Sequence, residues 1–402
     1  MKQQTSWSEL GLQNNIVTAL QSNKYQNPTE VQSLLLSKIR DSNASIICEA
    51  PDGAGKTIAS IIAAIQKIDV KQLQIQAIIM VNNENHLQQF LSPVQKLCQA
   101  LSIKYDVCIG LVDGYTIKLD KHLIIGTVDG ILQNFVSKTV LGTNHFTPNS
   151  LINVKLLVIH DADLFFSQSQ MKENVQLVIQ SVNQQTQKIL FSYVLDSDTQ
   201  IKMKQKWFQG KEITSIKQAL TLKNTFHLYF DAKGKGDTAK IGMLEKILSV
   251  FYFRPNFKCV VYCRAQTSVN AVCKKLKEND FAYSKVDLDT TQINSRTQYQ
   301  AFQEDKTKIY VTNTQTFKIN VPLSYVIMYD MPQIATPINY IQKTQHSTSN
   351  LACITINMIN NDTEKKALDT ISAYCQSNLK LQNMFTEVTV ATIEAEISKR
   401  LK

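Results

Sequence analysis

Residues 44–65 read ASIICEAPDGAGKTIASIIAAI, and this stretch carries the most specific structural signal in the chain. A short apolar run suited to a buried strand comes first, a turn of small residues follows, and a helical pattern of isoleucines and alanines ends it. Gly53 and Gly55 let consecutive backbone N–H groups converge on phosphate oxygens, and the helix N-terminus adds a favourable dipole. The stretch therefore predicts a phosphate-binding loop between a strand and a helix.

Two residues after the glycines extend this prediction to a nucleotide. Lys56 is expected to reach the terminal phosphates, and the Thr57 hydroxyl is expected to ligate Mg²⁺ through the bound nucleotide. A chance Gly-Lys-Thr in an ordinary turn is the alternative, and the flanking strand and helix patterns argue against it.

Length and composition indicate a soluble protein of two domains. The chain has 402 residues, which is too long for one core, and it is 44% hydrophobic and 19% charged. No apolar stretch approaches the roughly 20 residues of a membrane span, and the N-terminus lacks the apolar core of a signal peptide. The eight cysteines are scattered without metal-site spacing and are expected to be buried thiols. We therefore expect an intracellular protein, cytoplasmic or nuclear, with no membrane partner.

The net charge of +10 is unevenly distributed. Residues 1–210 hold 18 Lys and Arg against 16 Asp and Glu, or +2, whereas residues 211–402 hold 25 against 17, or +8. A basic second half is compatible with a phosphate-backbone partner and equally compatible with a solvated lysine surface.

Strand-like and helix-like patterns alternate along the whole chain, which predicts an α/β fold with mostly parallel sheets and helices on both faces. The pattern divides into a first domain at 1–210, a linker at 211–223 and a second domain at 224–402. The predicted strands are residues 45–48, 76–81, 122–126, 155–159 and 188–192 in the first domain, and 258–262, 282–286, 308–312, 326–329 and 352–357 in the second.

A segment upstream of the loop suits an adenine base. Residues 25–32 read YQNPTEVQ, and Trp7 precedes them. The aromatic face of Tyr25 can stack on a base, and the Gln32 amide can both donate to and accept from the adenine edge. This segment resembles the Q-motif of the DEAD-box RNA helicases, including the isolated upstream aromatic residue Trp7. Lys24 stands where the family has a glycine.

The resemblance covers nearly the whole chain and matches the minimal two-domain members, the initiation-factor-4A and mRNA-export types. It implies two tandem RecA-like domains that close on ATP and clamp single-stranded RNA. ATP or ADP is the implied cofactor, with Trp7, Tyr25 and Gln32 at the base.

The Asp-Glu-Ala-Asp box of the family is altered in this chain. Residues 156–163 read LLVIHDAD, so His160 stands at the position that organises Mg²⁺ and cannot supply its anionic oxygen. Asp161 replaces the glutamate that orients water and is one methylene shorter; a misplacement of about 1 Å can cost on the order of 10²-fold in rate. Asp161 and Asp163 are the catalytic candidates that remain, with Mg²⁺ binding weakened by His160.

Other motifs depart from the family as well. The Ser-Ala-Thr motif reads SYV at 192–194, and the Ala-Arg-Gly-Ile-Asp motif reads FKIN at 317–320. The arginine-rich segment reads QKTQHSTS at 342–349, with His346 and Ser349 at the later arginine positions. Missing arginine fingers in related phosphoryl-transfer enzymes cost about 10³–10⁵ in rate.

The motifs that grip RNA in the family are also substituted. Pro-Thr-Arg-Glu-Leu becomes NNENH at 82–86, Thr-Pro-Gly-Arg becomes TVDG at 127–130, and Ser295 stands at the arginine position after Gln292, with Arg296 beside it. Because arginines at such places hold RNA phosphates, a weakened RNA clamp is expected.

Two interpretations follow from these departures. The first is a pseudoenzyme that binds adenine nucleotide without efficient hydrolysis and serves as a structural or regulatory subunit of a larger assembly. The second is a divergent but active ATP-dependent RNA-binding protein or RNA helicase. The sequence favours the first, because no residue that replaces the lost catalytic groups is visible in it.

Overall fold

The chain folds as two compact units, residues 1–219 and 220–402. The computed structural model describes residues 5–110, 119–136, 151–166, 169–193, 195, 197–208, 212–218, 225–287, 290, 292–313, 319, 321–331, 337–344, 346, 352–379 and 384–400.

The first unit is built on a seven-stranded sheet in the order β3-β4-β2-β5-β6-β1-β7, and its strand pairings are all parallel. Its strands are β1 (Ser45–Glu49), β2 (Ala77–Val81), β3 (Tyr105–Cys108), β4 (Leu123–Thr127), β5 (Leu156–Ile159), β6 (Gln187–Ser192) and β7 (Ile213–Lys217). Its α-helices are α1 (Asn14–Ser22), α2 (Glu30–Asp41), α3 (Lys56–Lys67), α4 (Glu84–Ala100), α5 (Val128–Ile131), α6 (Ala162–Phe166), α7 (Ser169–Ser181) and α8 (Ser197–Trp207).

The second unit repeats this architecture, with a parallel seven-stranded sheet in the order β10-β11-β9-β12-β13-β8-β14. Its strands are β8 (Thr225–Asp231), β9 (Cys259–Tyr262), β10 (Tyr283–Val286), β11 (Ile309–Thr312), β12 (Tyr325–Met328), β13 (Cys353–Ile359) and β14 (Phe385–Val388). Its helices are α9 (Gly236–Phe251), α10 (Gln266–Glu278), α11 (Gln292–Gln303), α12 (Pro337–Thr344), α13 (Asp362–Leu379) and α14 (Ile393–Arg400). Strand for strand, its order is that of the first sheet, which confirms the predicted fold of two tandem α/β units.

Helices cover both faces of the first sheet. Ile61 and Phe90, from α3 and α4, are buried in the core on one face, and Val175 and Trp207, from α7 and α8, are buried in the core on the other. Burying each large apolar side chain contributes about 1.5–3 kcal/mol, so the two cores fix the sheet from both sides. All eight cysteines are buried and unpaired, as expected, and burial raises the pKa of Cys48 to about 12. No helix among the described residues is long and apolar enough to cross a membrane.

The sequence patterns did not predict four of the strands, and three of these four lie at sheet edges. β3, β7 and β14 are edge strands, and β8 is next to an edge. Most of their residues are partly or fully exposed, so they lack the continuous buried runs of central parallel strands. One of them corrects the predicted linker at 211–223: Ile213–Lys217 pairs in parallel with β1 and belongs to the first sheet.

Lys24, between α1 and Tyr25, adopts a left-handed backbone conformation with φ of 68°. This conformation costs a residue with a Cβ about 1–2 kcal/mol and costs glycine almost nothing. Because the Lys24 side chain is exposed, we expect Lys24→Gly to raise the unfolding free energy of the first unit by about 1 kcal/mol. Urea denaturation followed by tryptophan fluorescence measures this, since both tryptophans, Trp7 and Trp207, lie in the first unit.

The control is Lys96→Gly, at an exposed position inside α4, which is expected to lower the same free energy by about 1 kcal/mol. Equal losses in both variants would contradict the strain assigned to Lys24.

His227 is expected to make the second unit sensitive to acid. It is buried in β8, its Nδ1 lies 2.9 Å from the Tyr340 hydroxyl, and burial lowers its pKa to about 3. Between about pH 6.5 and 3 the unfolded chain therefore binds a proton that the folded unit excludes, so stability falls by about 1 kcal/mol per pH unit as the pH drops. We expect His227→Leu to flatten this dependence, measured by hydrogen exchange of β8 and β13 amides between pH 7 and 4. Equal pH slopes in the two proteins would show that His227 does not carry the effect.

Candidate functional site

The predicted phosphate loop follows β1 at the carboxyl edge of the first sheet, where ligands of parallel sheets bind. Glu49 ends β1 and is 5% exposed. Its carboxylate accepts from the Leu195 backbone N–H at 2.9 Å and the Gln200 amide at 2.8 Å, and it pairs with Lys217 at 2.9 Å. These three contacts fix the strand end from which the loop starts.

The loop itself requires both of its glycines. Gly53 and Gly55 have φ of 77° and 94°, in the left-handed region. A Cβ on Gly55 would also come within 2.6 Å of Gln32 Nε2 and 2.9 Å of Thr29 Oγ1. Gly55 is therefore fixed by conformation and by space, because α2 approaches the loop directly.

Thr29 and Gln32 bind this loop from the start of α2. The two residues form a capping box, in which Thr29 Oγ1 accepts from Gln32 N at 3.3 Å and Gln32 Oε1 accepts from Thr29 N at 2.9 Å. The same side chains donate to the loop, Gln32 Nε2 to the Gly55 carbonyl at 3.1 Å and Thr29 Oγ1 to the Ala54 carbonyl at 2.7 Å. Gln32 is 4% exposed, so its observed contacts are to the loop rather than to a site open to solvent.

The two aromatic residues predicted to contact the adenine base, Trp7 and Tyr25, differ in how deeply they are buried. Trp7 is only 1% exposed, and its indole N–H donates to the Tyr25 carbonyl at 2.8 Å. Trp7 thus has no free face for a base and instead supports the backbone of Tyr25. Tyr25 itself is half-buried against the core, and burial raises its pKa. Of the two rings, Tyr25 is the one that can offer a face to a ligand.

Lys56 is folded back into the loop. Its Nζ donates to the carbonyls of Ala50 at 2.7 Å and Pro51 at 3.1 Å and to Asp52 Oδ1 at 3.1 Å, and it lies 5.8 Å from the centre of the Tyr193 ring. With 5% exposure, this ammonium group is almost fully surrounded by acceptors. A loop with two left-handed glycines, a helix start and such a lysine fits the phosphates of a nucleotide. Thr57, the second residue of α3, is half-buried beside it.

The altered acidic box follows β5 at the same edge. The backbone N–H of His160 donates to the Met80 carbonyl at 2.9 Å, and the His160 ring packs edge-on against Phe90 at 5.0 Å. Asp161 is 2% exposed and left-handed with φ of 60°, whereas Asp163 is half-buried in α6. No group of three His, Cys, Asp or Glu able to hold a metal occurs in the described residues. Thr57 remains a predicted ligand of Mg²⁺ through a bound nucleotide.

Two substituted RNA motifs have structural roles at this edge. Thr127 caps α5, accepting from Gly130 N at 3.1 Å, and donates to the Ile109 carbonyl at 2.8 Å. Asn83 caps α4, accepting from His86 N at 3.1 Å. Both side chains are thus used to begin helices.

In the second unit, sequence reasoning missed Lys343. Its Nζ lies 4.5 Å from the centre of the Tyr262 ring, and burial lowers its pKa to about 8. Lys343 and Arg264 line a small cavity after β9, β11 and β12, together with Tyr262, Cys263, Asn313, Met328 and Asp330. The sequence feature that could have indicated Lys343 is its position in the altered arginine-rich segment 342–349, where it is the one residue that keeps a positive charge.

The structure describes only some of the other motif positions named from the sequence. His346 is half-buried and its backbone N–H donates to Thr344 O at 3.1 Å. The side chains of Gln292 and Arg296, together with Val194, Ser349 and residues 317, 318 and 320, lie outside the described part of the chain.

Comparison with known proteins matches both units to one family. The model of the DEAD/DEAH box helicase matches residues 29–200, and that of the helicase conserved C-terminal domain matches residues 239–345. The ATP-dependent RNA helicase eIF4A of Yarrowia lipolytica is 24% identical over 347 residues, covering 84% of this chain and 83% of that protein.

Solved structures show the same fold. Dbp5 of S. cerevisiae bound to RNA and ADP BeF3 has a TM-score of 0.82 at 19% identity, covering 99% of this chain and 100% of that one. A Dbp5 variant from the same yeast bound to Gle1 and IP6 has a TM-score of 0.76 at 19% identity, covering 98% of each chain.

These comparisons overturn the prediction of a pseudoenzyme. Relatives over most of the chain are named ATP-dependent RNA helicases, which are enzymes, and the first family model spans the phosphate loop, His160 and Asp161 despite their substitutions. The inference from missing catalytic groups was wrong; it rested on the absence of any visible replacement for those groups in the sequence. With matching models in both units, the chain belongs to the DEAD-box family of superfamily 2 helicases.

Proposed function

We propose that this protein is an ATP-dependent RNA-binding protein of the RNA helicase type. The observation that carries the proposal is the double use of Thr29 and Gln32, which cap α2 and donate to the carbonyls of Ala54 and Gly55. This arrangement joins the segment beside Tyr25 to the phosphate loop. A base stacked on Tyr25 and phosphates in the loop would then be held by one rigid unit.

The nucleotide of this proposal is ATP or ADP. The backbone N–H groups around Gly53 and Gly55 would hold its phosphates, and Lys56 would exchange its three protein acceptors for phosphate oxygens. Thr57 would hold the accompanying Mg²⁺, and bound ATP would supply the terminal phosphoryl group that is transferred to water.

Asp161 is the residue we assign to water activation in this reaction. It stands in place of the family glutamate and follows β5 at the carboxyl edge of the first sheet, where β6 alone separates β5 from β1, the strand that leads into the phosphate loop. Because its side chain is one methylene shorter, turnover on the order of 10²-fold below that of a glutamate enzyme is expected from a misplacement of about 1 Å.

Single-stranded RNA is the proposed macromolecular ligand. The similar Dbp5 structure holds RNA, and the second half of this chain carries a net charge of +8, from 25 Lys and Arg against 17 Asp and Glu. Gle1 binds Dbp5 in the other structure, which supports a further proposal, that this protein also works with a protein partner.

The central test is ATP turnover with and without single-stranded RNA, together with binding of a fluorescent ADP. We expect RNA to stimulate turnover, and Lys56→Ala to abolish turnover and to weaken nucleotide binding by about 10²-fold or more, because a charge-assisted contact worth about 3 kcal/mol is lost. Lys67→Ala, at the far end of the same helix, is the matched control and should change neither. An absence of RNA-stimulated turnover in the parent protein would refute the proposal.

Asp52 is expected to oppose nucleotide binding. Its carboxylate accepts from Lys56 Nζ at 3.1 Å and would repel incoming phosphates. Since a partly exposed ion pair is worth about 0.2–1 kcal/mol, Asp52→Asn should tighten ADP binding by up to about five-fold. Asp41→Asn, at the end of α2, removes an exposed carboxylate elsewhere in the unit and should leave the affinity unchanged. Weaker binding by Asp52→Asn would instead indicate that Asp52 supports the loop.

A further inference from the structure

Two buried histidines converge on Asp161. His160 Nδ1 lies 3.1 Å from Asp161 Oδ2, and His86 Nδ1 lies 3.4 Å from the same oxygen. The exposed fractions are 2% for His86, 4% for His160 and 2% for Asp161. Removing a carboxylate from water is costly unless polar or charged groups surround it, and these two imidazoles provide such surroundings.

Both imidazoles are held by rigid elements. His86 lies in the first turn of α4, whose cap Asn83 accepts from the His86 backbone N–H at 3.1 Å. His160 follows β5, and its ring is packed edge-on against Phe90 at 5.0 Å and tilted against Phe191 at 5.6 Å. The two contacts on Oδ2 therefore come from the first turn of α4 and from the residue that directly follows β5.

The backbone of Asp161 is constrained as well. Its φ of 60° is a left-handed conformation, which aspartate tolerates better than most residues but which still costs free energy. Its carbonyl accepts from Leu164 N at 3.0 Å as α6 begins. A side chain shortened by one methylene is thus placed by an unusual backbone and by two imidazoles.

The two histidines are both departures from the family motifs. His86 stands where Pro-Thr-Arg-Glu-Leu ends in leucine, and His160 stands where the acidic box begins with aspartate. These positions are 74 residues apart in sequence, from 86 to 160, yet both side chains contact Asp161, itself the third departure. The three substitutions form one contact set.

We propose that His86 is a positioning residue for Asp161 in ATP hydrolysis. With His160, it fixes the orientation of the aspartate carboxylate that replaces the family glutamate, and so compensates for part of the lost side-chain length. This inference rests on the proposed function, because it assigns His86 a part in the turnover step.

The test compares His86→Leu, which restores the family residue, with His86→Gln, which keeps a side-chain donor. We expect His86→Leu to lower kcat for RNA-stimulated ATP turnover by about 10- to 100-fold, as misplacement of a reacting group does, with KM for ATP and ADP affinity within about two-fold of the parent. His86→Gln should recover most of the loss.

A matched control is His122→Leu, which removes another buried histidine of the same unit. His122 accepts from Lys104 N at 3.0 Å, in the segments that precede β3 and β4, at the opposite ends of those strands from the loop edge. Its loss should lower thermal stability without a selective fall in kcat.

Three outcomes would overturn the inference. If the parent turns over ATP and His86→Leu keeps the parent's kcat, the role of His86 is refuted and the proposed function stands. The same holds if kcat, ADP affinity and the thermal midpoint all fall in His86→Leu and His86→Gln does not restore them. A parent without turnover would refute the proposed function and this role with it.

The contact itself is tested without nucleotide by histidine ¹⁵N NMR: Asp161→Asn should shift the Nδ1 signals of both His86 and His160, and unshifted signals would show that the contact is absent.

Discussion

Parallel strand pairing is the constraint on which the rest of this structure depends. Because every strand of the first sheet runs in the same direction, the segments after β1, β2, β5 and β6 all emerge at one edge. The phosphate loop, the start of α4, the altered acidic box and Tyr193 are therefore neighbours in space although they are far apart in sequence. Burial on both faces holds this edge in place, since a strand that slipped by one residue would move each side chain from one packed core into the other.

The coupling between α2 and the loop shows how one set of polar atoms can serve two purposes. Thr29 and Gln32 satisfy the free N–H groups at the start of α2, which any helix needs, and use their remaining donors on the loop carbonyls. The close approach of Thr29 and Gln32 requires a glycine at position 55, because a side chain there would collide with both residues. The conformation of the loop is thus tied to the position of a helix, and through Trp7 and the Tyr25 carbonyl to the N-terminal segment.

The sequence was sufficient for the fold and for the glycine turn between β1 and α3, because both depend on local patterns. Strands such as Ser45–Glu49, which is buried throughout and has an apolar middle, were found, whereas the edge strand Ile213–Lys217 is half-exposed and was assigned to a linker. The burial of Trp7 was not predictable, since a tryptophan that supports a site and one that lines it have the same sequence context. Nor was the contact of His86 with Asp161, which depends on how α4 and β5 are packed and on no local pattern.

The prediction of a pseudoenzyme failed for a related physical reason. The substituted motifs were weighed together as losses, but the contacts among the substituted residues were not visible in the sequence, and the effects of groups in contact do not add. His86, His160 and Asp161 are in contact, so the consequence of any one substitution depends on the other two. In the second unit, Lys343 keeps a cation in the segment that has lost its later arginines, and burial lowers the pKa of this lysine. A carboxylate at 2% exposure with two imidazoles on one oxygen is a costly arrangement to retain in a merely structural loop. Its position, at the edge where the phosphate loop lies, is the observation that supports the proposed role of the altered box in turnover.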